Sequence, residues 1–154
     1  MAATATKIPE HIFRRVERAL YDYRAHKAAV KAFETEQEEL RRSAGGRQFS
    51  TIDADAIHPH GGHSDPTHRL AVHLLRREAQ IARPRYQVAV IEAAMGALSE
   101  LQRQIVERKY FDPDKPSDQV IAKDLGIDRA TLYRHRDEIV RTFAIAFGWW
   151  HEWE

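Results

Sequence analysis

The chain has 154 residues, 43% hydrophobic and 31% charged, which is enough for one compact domain or for a small domain with an extension. It contains no cysteine, which excludes disulfides, thiolate metal sites and cysteine nucleophiles. No apolar run reaches the ~20 residues of a membrane span, and residues 1–7 lack the apolar core of a signal peptide. We therefore expect a cytoplasmic protein. The formal net charge is only +1, so binding to nucleic acid would need locally placed cations.

The first predicted element is a long N-terminal helix within residues 1–42, starting near Pro9, because proline favours the first turn. Its residues recur in alternating steps of three and four, a heptad-like stripe with polar lapses at His26 and Gln37. A stripe this long must pack on another helix of this chain or on a second copy. The stripe comprises Ile12, Val16, Ala19, Tyr23, His26, Val30, Phe33, Gln37 and Leu40.

Residues 43–65 follow as a flexible loop rich in glycine and histidine. The sequence Ser-Asp-Pro-Thr at 64–67 then predicts the start of a connecting helix over residues 66–85. Leu70, Leu74 and Ile81 mark its expected buried side. Pro84 is expected to kink or break it, because proline removes a backbone donor. The next apolar stripe comprises Val88, Ile91, Met95 and Leu98.

Ser99 and Gln102 form a capping-box pattern that predicts another helix, ending near Tyr110. Residues 112–116 form a turn-rich linker. Ser117 is the expected cap of a short helix, and Asp128 that of a final helix running towards Gly148. The chain shows no strand alternation, so the predicted fold class is all-α, with residues 86–148 as a separate domain.

Residues 117–143 have the pattern of a helix-turn-helix. Gly126 provides the positive φ needed at the turn, and Ala122 allows the two helices to approach closely. Apolar residues at the required spacing complete a small core: Ile121, Leu125, Ile127, Leu132, Ile139 and Phe143. The alternative is an ordinary helical hairpin with a solvated basic face.

Recognition helices contact base edges through their N-terminal residues, and the predicted one carries three arginines and no acid between residues 129 and 136. Arg129 and Arg134 are the candidates for guanine edges, since a guanidinium can donate two hydrogen bonds. Thr131 and Tyr133 could reach phosphate or a thymine methyl group. The full candidate DNA-binding set is Ser117, Arg129, Ala130, Thr131, Tyr133, Arg134 and Arg136.

Residues 98–111 resemble the lead-in helix of region 4 in bacterial sigma factors, so that residues 86–148 look like a sigma-region-4 domain. More narrowly, the long N-terminal helix, the helix start at 64–67 and the segment 131–144 resemble the ArpU/RinA family of phage late-gene regulators. That resemblance implies activation of phage packaging, virion and lysis genes through a promoter-proximal site on double-stranded DNA. The expected partners are host RNA polymerase and a second copy of the chain.

Three other features favour different interpretations. A divalent metal could bind a group of histidines and aspartates: His58, His60, His63 and His68, with Asp55 and Asp65. However, a glycine-rich loop without cysteine indicates a solvated segment. We therefore expect no metal or cofactor. The tryptophan-rich tail, residues 149–154, could cover the core or bind a partner. Arg76, Arg77, Arg83 and Arg85 could contact phosphate or form a solvated face.

Two rival functions stay open at this point. A DNA-packaging adaptor, like a small terminase subunit, would also pair a helix-turn-helix with helical oligomerisation segments, but would form rings. An enzyme built on the histidine-rich loop is the other, although no carboxylate cluster lies on a predicted rigid element. We therefore expect a DNA-binding regulator with no catalytic residues.

Overall fold

The computed structural model describes residues 7–45 and 66–152, with side chains at 7–43 and 68–151. Within these ranges the chain is all-α, as predicted, and contains no strand. From the second of the five α-helices onwards the connections are short and include a π-helical turn at Glu107–Phe111, and a 3₁₀ turn at Trp150–Glu152 follows the last helix. They are α1 (Glu10–Gly45), α2 (Pro66–Met95), α3 (Glu100–Val106), α4 (Asp118–Leu125) and α5 (Arg129–Ala146).

The heptad-like stripe of α1 packs against α2 of the same chain. The two helices run antiparallel, because Lys27 near the middle of α1 pairs with Glu92 at 2.8 Å, whereas Glu36 farther along pairs with Arg77 at 3.0 Å. Every residue of the predicted stripe is buried or half-buried. The partner of the long helix is therefore intramolecular, at least on this face.

Two expectations for α2 are wrong. Pro84 does not break the helix, which continues from Pro66 to Met95, so the proposed boundary between residues 85 and 86 falls inside one element. Proline removes one backbone donor, and packing of α2 along α1 maintains the helix through this site. Leu70 is 44% exposed instead of buried. At this end the contact between the helices is polar, since Glu36 accepts hydrogen bonds from Arg77 and contacts His73.

The remaining helices pack with the first half of α1 and the second half of α2 into one hydrophobic core, which we call the head. Ile12, Val16 and Leu20 of α1 are fully buried in it. The long N-terminal helix is therefore not separate from the helix-turn-helix segment, because the first half of α1 supplies part of its core. The other principal members are Ile91, Ile105, Val106, Ile121, Leu132, Ile139, Val140 and Phe143.

The rest of α1 and α2 form a two-helix stalk beyond the head. Among the described side chains of the stalk, Phe33 is the large residue of α1 that is fully buried, at 1% exposure, and Ile81 is its counterpart in α2, at 5%. Neither residue belongs to the continuous core of the head. The stalk therefore depends on a thin apolar seam and on polar contacts between its two helices.

Candidate nucleic-acid interface

The turn between α4 and α5 has the geometry that the sequence predicts. The Ser117 hydroxyl caps α4 by accepting from the Val120 amide at 3.4 Å, and α4 ends at Gly126, which has φ 67° and ψ 30°. The amide of Ile127 donates to the Ala122 carbonyl at 3.0 Å, which closes the turn. The Asp128 carboxylate caps α5 by accepting from the Thr131 amide at 2.6 Å. This hydrogen bond lowers the pKa of Asp128, so the cap is ionised at neutral pH.

Replacing Gly126 with alanine should destabilise the protein by about 1 kcal/mol, because an L side chain is strained at this positive φ. A Cβ atom at this position would contact nothing within 4 Å, so the penalty comes from the backbone alone. Gly126→Asn is the matched control and should cost less, since asparagine tolerates the left-handed region. Chemical denaturation of the two variants measures the difference; equal losses would contradict the backbone explanation.

The first two turns of α5 present an exposed face that contains most of the predicted DNA-contacting residues. Arg129, Ala130, Tyr133 and Arg134 are exposed and Thr131 is half-buried. Arg129 donates to the Tyr133 hydroxyl at 2.9 Å, and Arg134 donates to the Thr131 hydroxyl at 3.0 Å. Both guanidinium groups are thus held by neutral hydroxyls, and in the described parts of the chain neither forms an ion pair. Their charge and their other N–H groups are available to a ligand.

Ser117 lies near this face, although its hydroxyl serves as a helix cap. The hydrogen bond to Tyr133 raises the pKa of Arg129, and the charge of Asp118 contributes in the same direction. The beginnings of α4 and α5 are therefore close enough for Asp118 to act on Arg129. The exposed N-terminus of α4 can approach the backbone of a ligand that contacts α5.

Arg136 does not belong to the exposed face, which corrects the prediction for this residue. It binds Glu17 of α1 through Nε and Nη2 at 3.0 and 2.6 Å, and its guanidinium lies over the ring of Phe13 at 4.9 Å. The Tyr110 hydroxyl donates to the same Glu17 oxygen at 2.8 Å. Arg136 follows Leu132 by four residues and precedes Ile139 by three, so helical periodicity directs it towards the core.

The environment of this cluster shifts the pKa of two of its members. Burial raises the pKa of Tyr110, and the charge of Glu17 raises it further, so the hydroxyl stays a donor. Burial alone would lower the pKa of Arg136, but its hydrogen bond to Glu17 and the opposite charge outweigh burial and raise it. The cluster is therefore a fixed ion pair that joins α1, α5 and the π-helical turn.

No sequence pattern predicts that α1 lies beside α5, yet a surface groove of about 680 Å³ separates the start of α1 from the outer side of α5. Lys7 and Arg14 line it on one side, and Arg134 and Arg141 on the other. Glu10, which pairs with Arg14 at 2.8 Å, lies among them. Cations from the N-terminal segment thus flank the face that carries Arg134.

The other features singled out in the sequence have structural roles where they are described. Trp149 stacks on Phe147, with ring centres 4.4 Å apart, and the Arg15 guanidinium lies 4.0 Å from its ring centre. Trp149 thus covers the end of the core, whereas Trp150 is 40% exposed. Of the arginine cluster in α2, Arg77 binds Glu36 and Arg85 lies over the ring of Phe33.

The histidine-rich segment falls outside the described residues, including His58, His60 and His63, and so does most of the predicted loop 43–65; residues 43–45 continue α1. Among the residues that are described, no group of three or more metal-ligating side chains lies together. In the same part of the chain, no helix is both long and apolar enough to cross a membrane.

No protein-family model, curated protein or solved structure matches this chain. The resemblances to sigma-factor region 4 and to the ArpU/RinA regulators therefore stay predictions from the residues.

Proposed function

We propose that this protein is a sequence-specific, double-stranded DNA-binding transcriptional regulator that inserts the start of α5 into the major groove. The observation that carries the proposal is the exposed pair Arg129 and Arg134, on the first two turns of a helix that follows a Gly126 turn. Their guanidinium groups are held by hydroxyls and have no carboxylate partner in the described chain. These two local positive charges can attract the DNA backbone, although the net charge of the whole chain is only +1.

Each residue of the face has a chemical role in this proposal. Arg134 and Arg129 donate to the O6 and N7 atoms of guanine, and the Ala130 methyl group contacts a thymine methyl. The Thr131, Tyr133 and Ser117 hydroxyls bind phosphate and fix the register of the helix on the duplex. Arg136 instead maintains the angle between α1 and α5 through Glu17.

The resemblance to ArpU/RinA regulators narrows the proposal to activation of phage late genes, in the cytoplasm of a bacterial host. In that role the start of α5 binds a promoter-proximal site, and another surface contacts host RNA polymerase. Exposed Trp150 at the end of the chain suits such a contact, because tryptophan is enriched at binding hot spots.

Selection of binding sites from random duplex DNA tests the central claim. A discrete motif containing guanine should be enriched, and footprinting on the phage genome should then place it upstream of late genes. Retention of all duplexes equally, at every salt concentration, would contradict sequence-specific binding and favour the interpretation of α4 and α5 as an ordinary helical hairpin. Transcription from a promoter carrying the motif, with host polymerase, tests activation separately.

We further propose that the functional form is a dimer that pairs through the outer face of α2. Leu75 and Tyr86 are 67% and 56% exposed on the side of α2 that points away from α1. They belong to a heptad-spaced face that includes Ala79 and Ala82. Antiparallel pairing of two α2 helices about a twofold axis between those alanines places Leu75 against Tyr86 of the second copy.

Leu75→Glu should convert the dimer to a monomer, because it buries a charge in the proposed interface. Leu70→Glu is the matched control: Leu70 is also exposed, at 44%, but lies about 140° away around the helix, and its variant should stay dimeric. Native mass spectrometry measures both. A wild-type monomer, or equal behaviour of the two variants, would contradict the interface. A ring of eight or more subunits would instead favour the packaging adaptor.

A further inference from the structure

A second basic groove, of about 670 Å³, lies between α1 and α2 at the other end of α5 from Arg129. Four arginines line it against a single aspartate, Asp22. Arg14 pairs with Glu10 outside the groove, and Arg15 lies over Trp149. Arg18 and Arg83, one from each helix, have no carboxylate partner in the part of the chain described. The groove therefore has a concentration of positive charge that the fold itself does not neutralise.

The same groove has two polar groups that the protein leaves without a hydrogen bond. Gln87 is only 9% exposed, and its Oε1 atom has no partner within the described residues. Nδ1 of His26, opposite Gln87 on α1, is also buried and without a partner. A buried polar atom without a hydrogen bond is unfavourable, because the protein does not replace the hydrogen bond that the atom makes to water. A ligand that forms the missing hydrogen bonds to these two atoms would remove this cost.

We propose that this groove binds a small phosphate ester that also carries hydrogen-bonding groups, the chemistry of a nucleoside phosphate. Arg18 and Arg83 receive the phosphate, since the planar guanidinium matches two phosphate oxygens at once. The polar part of the ligand reaches Gln87 and His26, whose amide and imidazole can each donate or accept. The volume lies within the roughly 300–1,000 Å³ typical of small-molecule sites.

Two phosphate sources share this chemistry, a free compound and the backbone of DNA. The position of the groove favours the free compound. The 18 residues of α5 span about 27 Å, and Trp149, which lines the groove, follows the C-terminal end of that helix. The distance from Arg129 to the groove along α5 therefore exceeds the width of a DNA duplex. A duplex bound at Arg129 would not reach Arg18 without extending well beyond α5. This inference does not require α5 to bind DNA.

Calorimetric titration of the full chain with nucleoside monophosphates and with pyrophosphate tests the proposal. The double variant Arg18→Gln, Arg83→Gln should weaken binding of both probes by about tenfold or more, because it removes two charge-assisted contacts. The control Arg24→Gln, Arg76→Gln makes the same charge change at exposed arginines outside the groove and should leave affinity within about twofold. Quenching of tryptophan fluorescence is a second readout, since Trp149 lines the groove.

Gln87→Leu tests the polar part of the site separately from the arginines that bind phosphate. It should weaken binding of a nucleotide about fivefold or more while leaving pyrophosphate unaffected, because only the polar part of the ligand meets the amide. Its thermal stability should not fall, since it removes an unsatisfied buried group. Three results would overturn the proposal: no binding of any probe at millimolar concentration, equal loss in the control variant, or a duplex that alone binds and depends on Arg18 and Arg83.

Discussion

Replacing Glu17 with alanine is expected to lower the free energy of unfolding by about 2–3 kcal/mol. Glu17 accepts hydrogen bonds from both Arg136 and Tyr110, and its removal leaves a half-buried guanidinium and a buried hydroxyl without their partner. The side chains of Glu17 and Arg136 are 17% and 24% exposed, which places the loss below the 3–5 kcal/mol of a fully buried pair. For a chain of this size the melting temperature should fall by roughly 5–10 °C.

Glu10→Ala is the matched control for Glu17→Ala. Glu10 also pairs with an arginine of α1, at 2.8 Å, but both side chains are about three-quarters exposed, and such pairs contribute little. Thermal and chemical denaturation of the two variants measure the comparison. If they lose the same stability, the Glu17 cluster does not fasten α1 to α5. The first half of α1 would then be held to the head by apolar packing alone.

Arg134→Ala is expected to cost about 1–3 kcal/mol of DNA-binding free energy, or roughly 5- to 150-fold in affinity, at one base position. Arg134 is exposed, and its one hydrogen bond within the described chain is to the Thr131 hydroxyl, so a guanine can take its remaining donors without breaking an ion pair. Competition binding measures the effect, with the selected site against sites changed at each position. The loss should disappear on duplexes whose guanine at the contacted position has already been replaced.

Two controls decide the role of Arg134. Arg24→Ala removes an exposed arginine from α1 and should leave the affinity nearly unchanged. Arg136→Ala should reduce stability more than specificity, since Arg136 faces Glu17 and not the exposed side of α5. A uniform loss on every duplex, with a smaller salt dependence, would show that Arg134 contacts phosphate and reads no base.

Because Glu17 joins α1 to the middle of α5, the stalk and the proposed DNA-contacting face are connected through this ion pair. Lys7, Glu10 and Arg14 also line the groove beside Arg134, so the N-terminal segment contributes to the surroundings of the proposed recognition helix. The long helix α1 thus supplies part of the core behind the proposed DNA-contacting face, and it packs against α2, the helix of the proposed dimer interface.

Local features could be predicted from the sequence because they depend on neighbours along the chain. Ser99, Ser117 and Asp128 cap helices, as their positions before apolar periodic segments indicate. Gly126 adopts the left-handed conformation because the turn requires it. The stripe of α1 follows from helical periodicity alone, and so does the all-α class. Each of these is decided within one or two helical turns.

Tertiary packing decided the features that depend on contacts between residues far apart in the sequence. Pro84 predicts a break from local chemistry, but α2 remains one helix against α1. Arg136 looks like a DNA contact in a basic segment, and only the position of Glu17, 119 residues earlier, shows that its charge is neutralised. The grooves beside Arg134 and Arg18 likewise combine residues from distant parts of the chain. The sequence alone determined the caps of α4 and α5 and the turn between them; tertiary structure decided which arginines of α5 stay exposed, because burial and ion pairing depend on which helices meet.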